Sequence, residues 1–119
     1  MKKVKIQRNP FIVPTTDGKY IGEHFGKATT AQEDISIAHM VAPPYWSEPF
    51  QTPEFDEYTL VVKGKKQITL DTEVVVLNAG ESIFVPAHQR VQYANPFDEA
   101  CEYVAICTPA FSIEKANRE

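Results

Sequence analysis

Glu57 ends an acidic run, PEFDEY, and opens a strongly β-forming segment, EYTLVVK, so its carboxyl is the first group in the chain placed to do chemistry. If that carboxylate is buried without a cation, desolvation raises its pKa, which suits it to general acid or base work. Glu57 is therefore the candidate catalytic residue, while Glu54 and Asp56 of the same run are read as solvent-facing. Gln51 offers a neutral amide oxygen and Tyr93, on the same strand face as Val91, a hydroxyl. Trp46, with Tyr45, sits in a proline-rich stretch and could stack on a ligand at a cavity mouth or seal one end of a core. The three histidines are scattered. His39 alternates with Ile37 and Val41 and could face a cavity or be a core residue with one hydrogen bond; His88 lies in a Pro-Ala-His turn; His24 is read as a strand-surface residue.

These residues must be held by strands. No segment has the period of a long amphipathic helix, and short runs rich in Val, Ile, Thr, Tyr and Phe recur between Gly, Pro, Asn and Asp. Strands are predicted near Val4–Gln7, Lys19–His24, Ile35–Val41, Glu57–Lys63, Lys66–Leu70, Glu73–Leu77, Ser82–Val85, Arg90–Ala94 and Glu102–Cys107. That pattern predicts an all-β sandwich or barrel. Alternation puts Glu57, Thr59 and Val61 on one face of their strand and Tyr58, Leu60 and Val62 on the other. Ala42–Pro53 holds four of the nine prolines and reads as a loop or edge. Gly64 lies between two strand patterns, where a tight hairpin calls for positive φ.

The chain of 119 residues is read as one domain, with an N-terminal strand or arm over about residues 1–10 and a polar tail, helical or frayed, over about 113–119. A formal charge of −4 gives no broad attraction to phosphate backbones, so no nucleic-acid partner is expected. No apolar run is long enough for a membrane span and no signal-peptide core follows the basic start, so the expectation is a cytoplasmic protein without membrane attachment. Cys101 and Cys107 share one strand about 20 Å apart at 3.3 Å per residue, too far to pair, and are expected as reduced, buried thiols.

The spacing of five residues carries a resemblance. Glu57, six residues, Gly64 is followed by Gly80, five residues, Pro86, and then Asn95. This resembles the two motifs of the cupins, whose first motif ends in Glu, six residues, Gly, and whose second runs Gly, five residues, Pro-x-Gly, two residues, His, three residues, Asn. The resemblance implies a jelly-roll β-barrel, the double-stranded β-helix, with the Glu57 face lining its cavity and the opposite apolar face covered by another sheet or a second subunit. PEFDEYTL and the later PAFS are similar to small bacterial cupins that lack the His pair.

In metal-binding cupins the first motif's two His, its Glu and the second motif's His converge on a divalent ion. Here those His positions hold Gln51, Pro53 and Val91, so three of the four usual ligands are absent. Three functional expectations follow. One is a barrel that binds a small polar or carboxylated molecule through Gln51, Glu57, Tyr93, Trp46 and His39, as a homodimer. Another is a divalent-metal enzyme (dioxygenase, isomerase or lyase) with a non-standard site of Gln51, Glu57 and His88, a bulge turning His88 inward. The last is a non-catalytic structural or regulatory dimer acting through Tyr58, Leu60 and Val62.

Overall fold

The structure is a computed structural model that describes residues 2–119. Its strands are β1 (Phe11–Ile12), β2 (Tyr20–Phe25), β3 (Ser36–Ala42), β4 (Trp46–Ser47), β5 (Asp56–Lys63), β6 (Lys65–Thr69), β7 (Val74–Asn78), β8 (Ser82–Val85), β9 (Gln92–Asn95) and β10 (Cys101–Thr108), followed by a one-turn helix α1 (Ile113–Ala116). They form a six-stranded sheet in the order β1-β2-β3-β10-β5-β8 and a four-stranded sheet in the order β4-β9-β6-β7. Each strand pair is antiparallel. The two sheets close on each other as a jelly-roll barrel.

Alternation decides the interior. On β5, Glu57, Thr59 and Val61 are buried while Tyr58, Leu60 and Val62 remain about half exposed. On β10, Cys101, Tyr103, Ala105 and Cys107 all point inward. From the smaller sheet Ile68, Leu77 and Tyr93 meet them, and Trp46, Val85 and Val91 complete the main core. Burial of this set is the main term holding the sheets together, at about 25 cal/mol per Å² of apolar surface. A second small cluster, Phe55, Cys107 and Ala116 with Phe111, packs α1 against the barrel.

Both motif ends act as turn hardware. Gly64 has φ +81° at the β5–β6 hairpin, as its spacing predicts. Asn95 is buried, and its side-chain amide donates to the carbonyls of Ala42, Pro43 and Glu99 while its oxygen accepts from Phe97 N. One side chain thereby ties the β9–β10 turn to the segment after β3.

One local expectation changes and two are made specific. The strand expected at Val4–Gln7 does not form: residues 2–10 carry no strand, and the first pairing is Phe11–Glu23. Val4 and Ile6 are 92% and 70% exposed, because β1 already occupies that edge of the sheet and leaves no further face for them. Met1 of the expected arm lies outside the described residues. The proline-rich loop contains β4, paired through Trp46–Asn95 and Ser47–Ala94. The tail folds back: Ser112 caps α1 by accepting from Lys115 N, Asn117 closes it in the left-handed region, and Glu119 N donates to Phe50 O.

Candidate functional site

Inside the barrel is a chamber with about 70 Å³ open to a water-sized molecule. At about 10–15 Å³ per water it holds roughly five waters, or a small organic molecule of similar bulk. It opens into an outer cleft of about 380 Å³ that shares Val13, Lys19, Ile21, Glu48, Phe111 and Arg118 with it.

Glu57 enters the chamber from β5, held in register between Cys107 of β10 and Val85 of β8. It is 9% exposed, and the Cys107 thiol lies 3.8 Å from its Oε1. Desolvation pushes its pKa up, and the charge on Lys66 partly opposes this. Lys66 comes from β6 on the other sheet and is 2% exposed. Burial, with a further push from the Lys19 charge, lowers its pKa to about 7. Its Nζ lies 3.3 Å from the Tyr103 ring centroid and 4.5 Å from that of Tyr93. Lys19, which precedes β2, is lowered in the same direction by burial; its Nζ stands 4.3 Å from the Trp46 ring and 5.3 Å from Tyr103. The two ammonium groups thus rest on aromatic faces. The ion pairs among the described residues are His39–Glu102, Arg90–Glu119 and Arg118–Glu48, so neither lysine is in one.

The remaining walls are polar at fixed points. Gln51 is buried, exchanges backbone hydrogen bonds with Val91, and its Oε1 accepts from Arg118 Nε at 3.4 Å. Burial keeps the Tyr93 and Tyr103 hydroxyls protonated to well above the usual phenol range. The Tyr103 hydroxyl is buried with no hydrogen-bond partner. An orphaned buried hydroxyl costs about 1–3 kcal/mol, and a ligand atom in the chamber would relieve it. Glu23, also in the wall, is already satisfied by Ala28 N and the Thr29 hydroxyl.

The structure brings together three of the residues expected from the sequence, Gln51, Glu57 and Tyr93, and adds Trp46 at the outer cleft, where its indole N–H donates to Asp17 at 2.7 Å. That bond holds the Asp17 carboxyl below its usual range. Tyr45 is turned outward and exposed. His39 is a correction: β3 presents Ser36, Ala38 and Met40 to the chamber, which leaves His39 on the outer face, 2.8 Å from Glu102 Oε2 and edge-on to Tyr20. His88 is a second correction. It is exposed at φ +71°, its N–H donating to Pro53 O, so the turn directs it away from Gln51 and Glu57 and no bulge returns it.

Besides the already satisfied Glu23, the chamber wall has four charged residues that the sequence reading did not select: Lys19, Lys66, Glu48 and Arg118. Two of them left a signal. Lys66 is two residues before Ile68 and Lys19 two before Ile21, so alternation places each on an inward face. Glu48 and Arg118 come from a loop and the tail and have no periodicity to betray them.

A divalent metal fits these residues poorly. Of the four usual ligand positions only Glu57 has an ionisable donor, Gln51 has a neutral amide already shared with Arg118, and Pro53 and Val91 have none. Among the described residues no three His, Cys, Asp or Glu side chains stand together. Cationic charge beside Glu57 comes instead from Lys66 and Lys19.

Fold and site together define a two-sheet jelly-roll barrel with an ionisable chamber opening at one end. Residues 38–107 match the family described as Cupin domain, and the chain belongs to that family. It is 44% identical over 108 residues to a Myxococcus xanthus (strain DK1622) protein named Endoribonuclease YbeY, a match that covers 91% of this chain but 37% of that one. Among solved structures it is similar to KdgF from Halomonas sp. (TM-score 0.77, 13% identity, 92% of this chain and 97% of that one). It is also similar to an RmlC-like cupin from Shewanella frigidimarina (TM-score 0.74, 17% identity, 92% and 93% covered). At these identities the structural likeness shows the fold alone. No helix among the described residues is long and apolar enough to cross a membrane.

Proposed function

We propose that the barrel binds a small carboxylate-bearing molecule in a chamber where lysine ammonium groups, and not a metal, supply the positive charge. The observation that carries this reading is the pair of buried lysines, Lys19 and Lys66, lining one chamber without an ion-pair partner. Burying such groups costs several kcal/mol unless something compensates them. An anion between them and Arg118 would do so, with Tyr93 and the unpartnered Tyr103 hydroxyl as neutral donors. A thermal titration with lactate tests it, with lactamide as the uncharged control. Lactate at a hundredfold excess over Kd should stabilise the fold by about 2.7 kcal/mol, several degrees in Tm, and lactamide should not. Equal shifts from both compounds, or none from lactate, acetate and pyruvate alike, would rule the reading out.

Ribonuclease activity is not assigned to this chain, which spans 37% of the relative bearing that name. The working state we propose is a homodimer, formed through the outer face of β5 and β8. Tyr58, Leu60, Val62 and Phe84 are each 47–49% exposed there, and the Tyr58 and Phe84 rings are 4.8 Å apart. Sedimentation should give a dimer at micromolar concentration, and Leu60→Asp should shift it to monomer; a wild-type monomer would count against it. A reducing compartment such as the cytoplasm suits the free thiols Cys101 and Cys107.

A further inference from the structure

Lys66 differs from an ordinary buried lysine in three ways. It lines the inner chamber, its Nζ has aromatic rings rather than a carboxylate against it, and Glu57 lines the same space from the facing sheet. An anion alone explains cationic groups at the mouth, where Lys19 and Arg118 line both chamber and cleft. Lys66 alone of the three lies deeper, beyond the outer cleft and over the Tyr103 ring, where it would face the rest of a ligand whose carboxylate is held at the mouth. A nucleophilic amine is favoured by such surroundings: burial against aromatic rings, which disfavours its protonated form, and an acid in the same chamber to move protons.

We propose that Lys66 is a nucleophile that forms an imine with a small 2-oxo carboxylate, with Glu57 moving the protons. The proposal rests on the carboxylate reading for anchoring the substrate, whose carboxylate would lie toward Lys19 and Arg118 and its carbonyl carbon toward Lys66. The neutral amine adds its lone pair to that carbon, the carbonyl π pair moves to oxygen, and protonated Glu57 delivers a proton there. The Glu57 carboxylate then takes a proton from the new ammonium nitrogen, giving a carbinolamine and restoring the acid. Glu57 next protonates the hydroxyl, which leaves as water while the nitrogen lone pair closes the C=N bond; loss of the iminium proton returns Glu57 to its starting state. One amine and one carbonyl become one imine and one water, with no change of oxidation state. Burial lowers the Lys66 pKa to about 7 and raises that of Glu57, which moves each group toward the form its step requires.

The experiment incubates the whole protein with pyruvate and sodium cyanoborohydride, which reduces C=N, and maps adducts by peptide mass spectrometry. One reduced pyruvate unit per chain is expected on Lys66, at roughly tenfold or more over exposed lysines such as Lys2, Lys3 and Lys5, with yield rising as pH climbs through about 7. Glu57→Gln should slow trapping at Lys66 without changing the background at exposed lysines. Lactate, which lacks the carbonyl, should protect Lys66 by competition. If pyruvate and lactate both stabilise the fold but Lys66 gains no adduct, the imine is overturned and the carboxylate site stands. If neither stabilises it and adducts spread evenly over surface lysines, both readings fall. Mapping in the wild-type protein keeps the test valid even where a Lys66 variant misfolds.

Discussion

Lys66→Met is expected to weaken lactate binding by roughly 10- to 100-fold, the loss of one charge-assisted contact worth about 1.5–3 kcal/mol. The same change should reshape stability against pH. In the wild-type protein Glu57 has a raised folded pKa, so the folded state holds a proton that the unfolded state releases above about 4.5, and stability falls as pH rises through that window. Lys66 and Lys19 work the other way. Their folded pKa values lie below 10.5, so from about pH 7 upward the unfolded chain binds more protons and stability climbs. The limb ends near pH 9, where the raised pKa values of Cys107, Tyr93 and Tyr103 reverse the slope again because the unfolded thiol and phenols ionise first. The ligand-free protein should therefore be least stable near neutrality, with slopes of up to about 1.4 kcal/mol per pH unit for each proton difference. Met at position 66 removes most of the alkaline recovery and drives the Glu57 pKa further up, since the opposing charge is gone. Urea melts from pH 5 to 9, with carboxyl carbon chemical shifts of Glu57, check both parts. A wild-type profile flat across that range would contradict the assigned directions.

Gly64→Ala is expected to cost about 3 kcal/mol or more, among the largest losses open to a single methyl group. Gly64 has φ +81°, where a side chain is strained, and an added Cβ would collide with the carbonyl oxygen of Ala100 and crowd Cys101 Cα. Both obstacles are backbone, so no rotamer change relieves them. The hairpin fixes the register of Lys66 on β6 relative to Glu57 on β5, so the lost free energy should come with lost lactate binding. Gly80→Ala is the informative partner. Gly80 has a similar φ of +87°, but nothing lies within 4 Å of its added Cβ. Denaturant titrations should show that variant losing only about 1 kcal/mol. Equal losses at the two sites would mean that backbone strain, not collision, dominates at Gly64.

How much of this molecule could be read without its structure depends on whether a residue's position follows from its neighbours in the chain. The hairpin glycine and the two faces of β5 follow from local backbone requirements and a two-residue period, and both are found as expected; Asn95 was legible as a motif position, but its staple was not. Val91 and Pro53 at former ligand positions were also legible, which told that the usual metal set had gone. The histidines misled because a residue's face depends on the strand's register against its partners. β3 pairs Val104 with His39 and turns Ala38 and Met40 inward, a shift of one residue from the face on which His39 would enter.

The cationic side of the chamber was harder to see. Lys66 opens a predicted strand, but only closure of the four-stranded sheet over the six-stranded one makes it an interior group opposite Glu57. The sequence alone determined an all-β chain, its hairpin turn and the face of β5 that carries Glu57, because those rest on local geometry and alternation, and the motif spacing resembled that of a barrel family. Only the tertiary structure decided the chemistry of the chamber. It removed water from Lys19, Lys66 and Glu57 together, and it brought Glu48 from a loop and Arg118 from the tail to the mouth. Desolvation and charge proximity depend on distances between segments far apart in the chain, which no local pattern encodes.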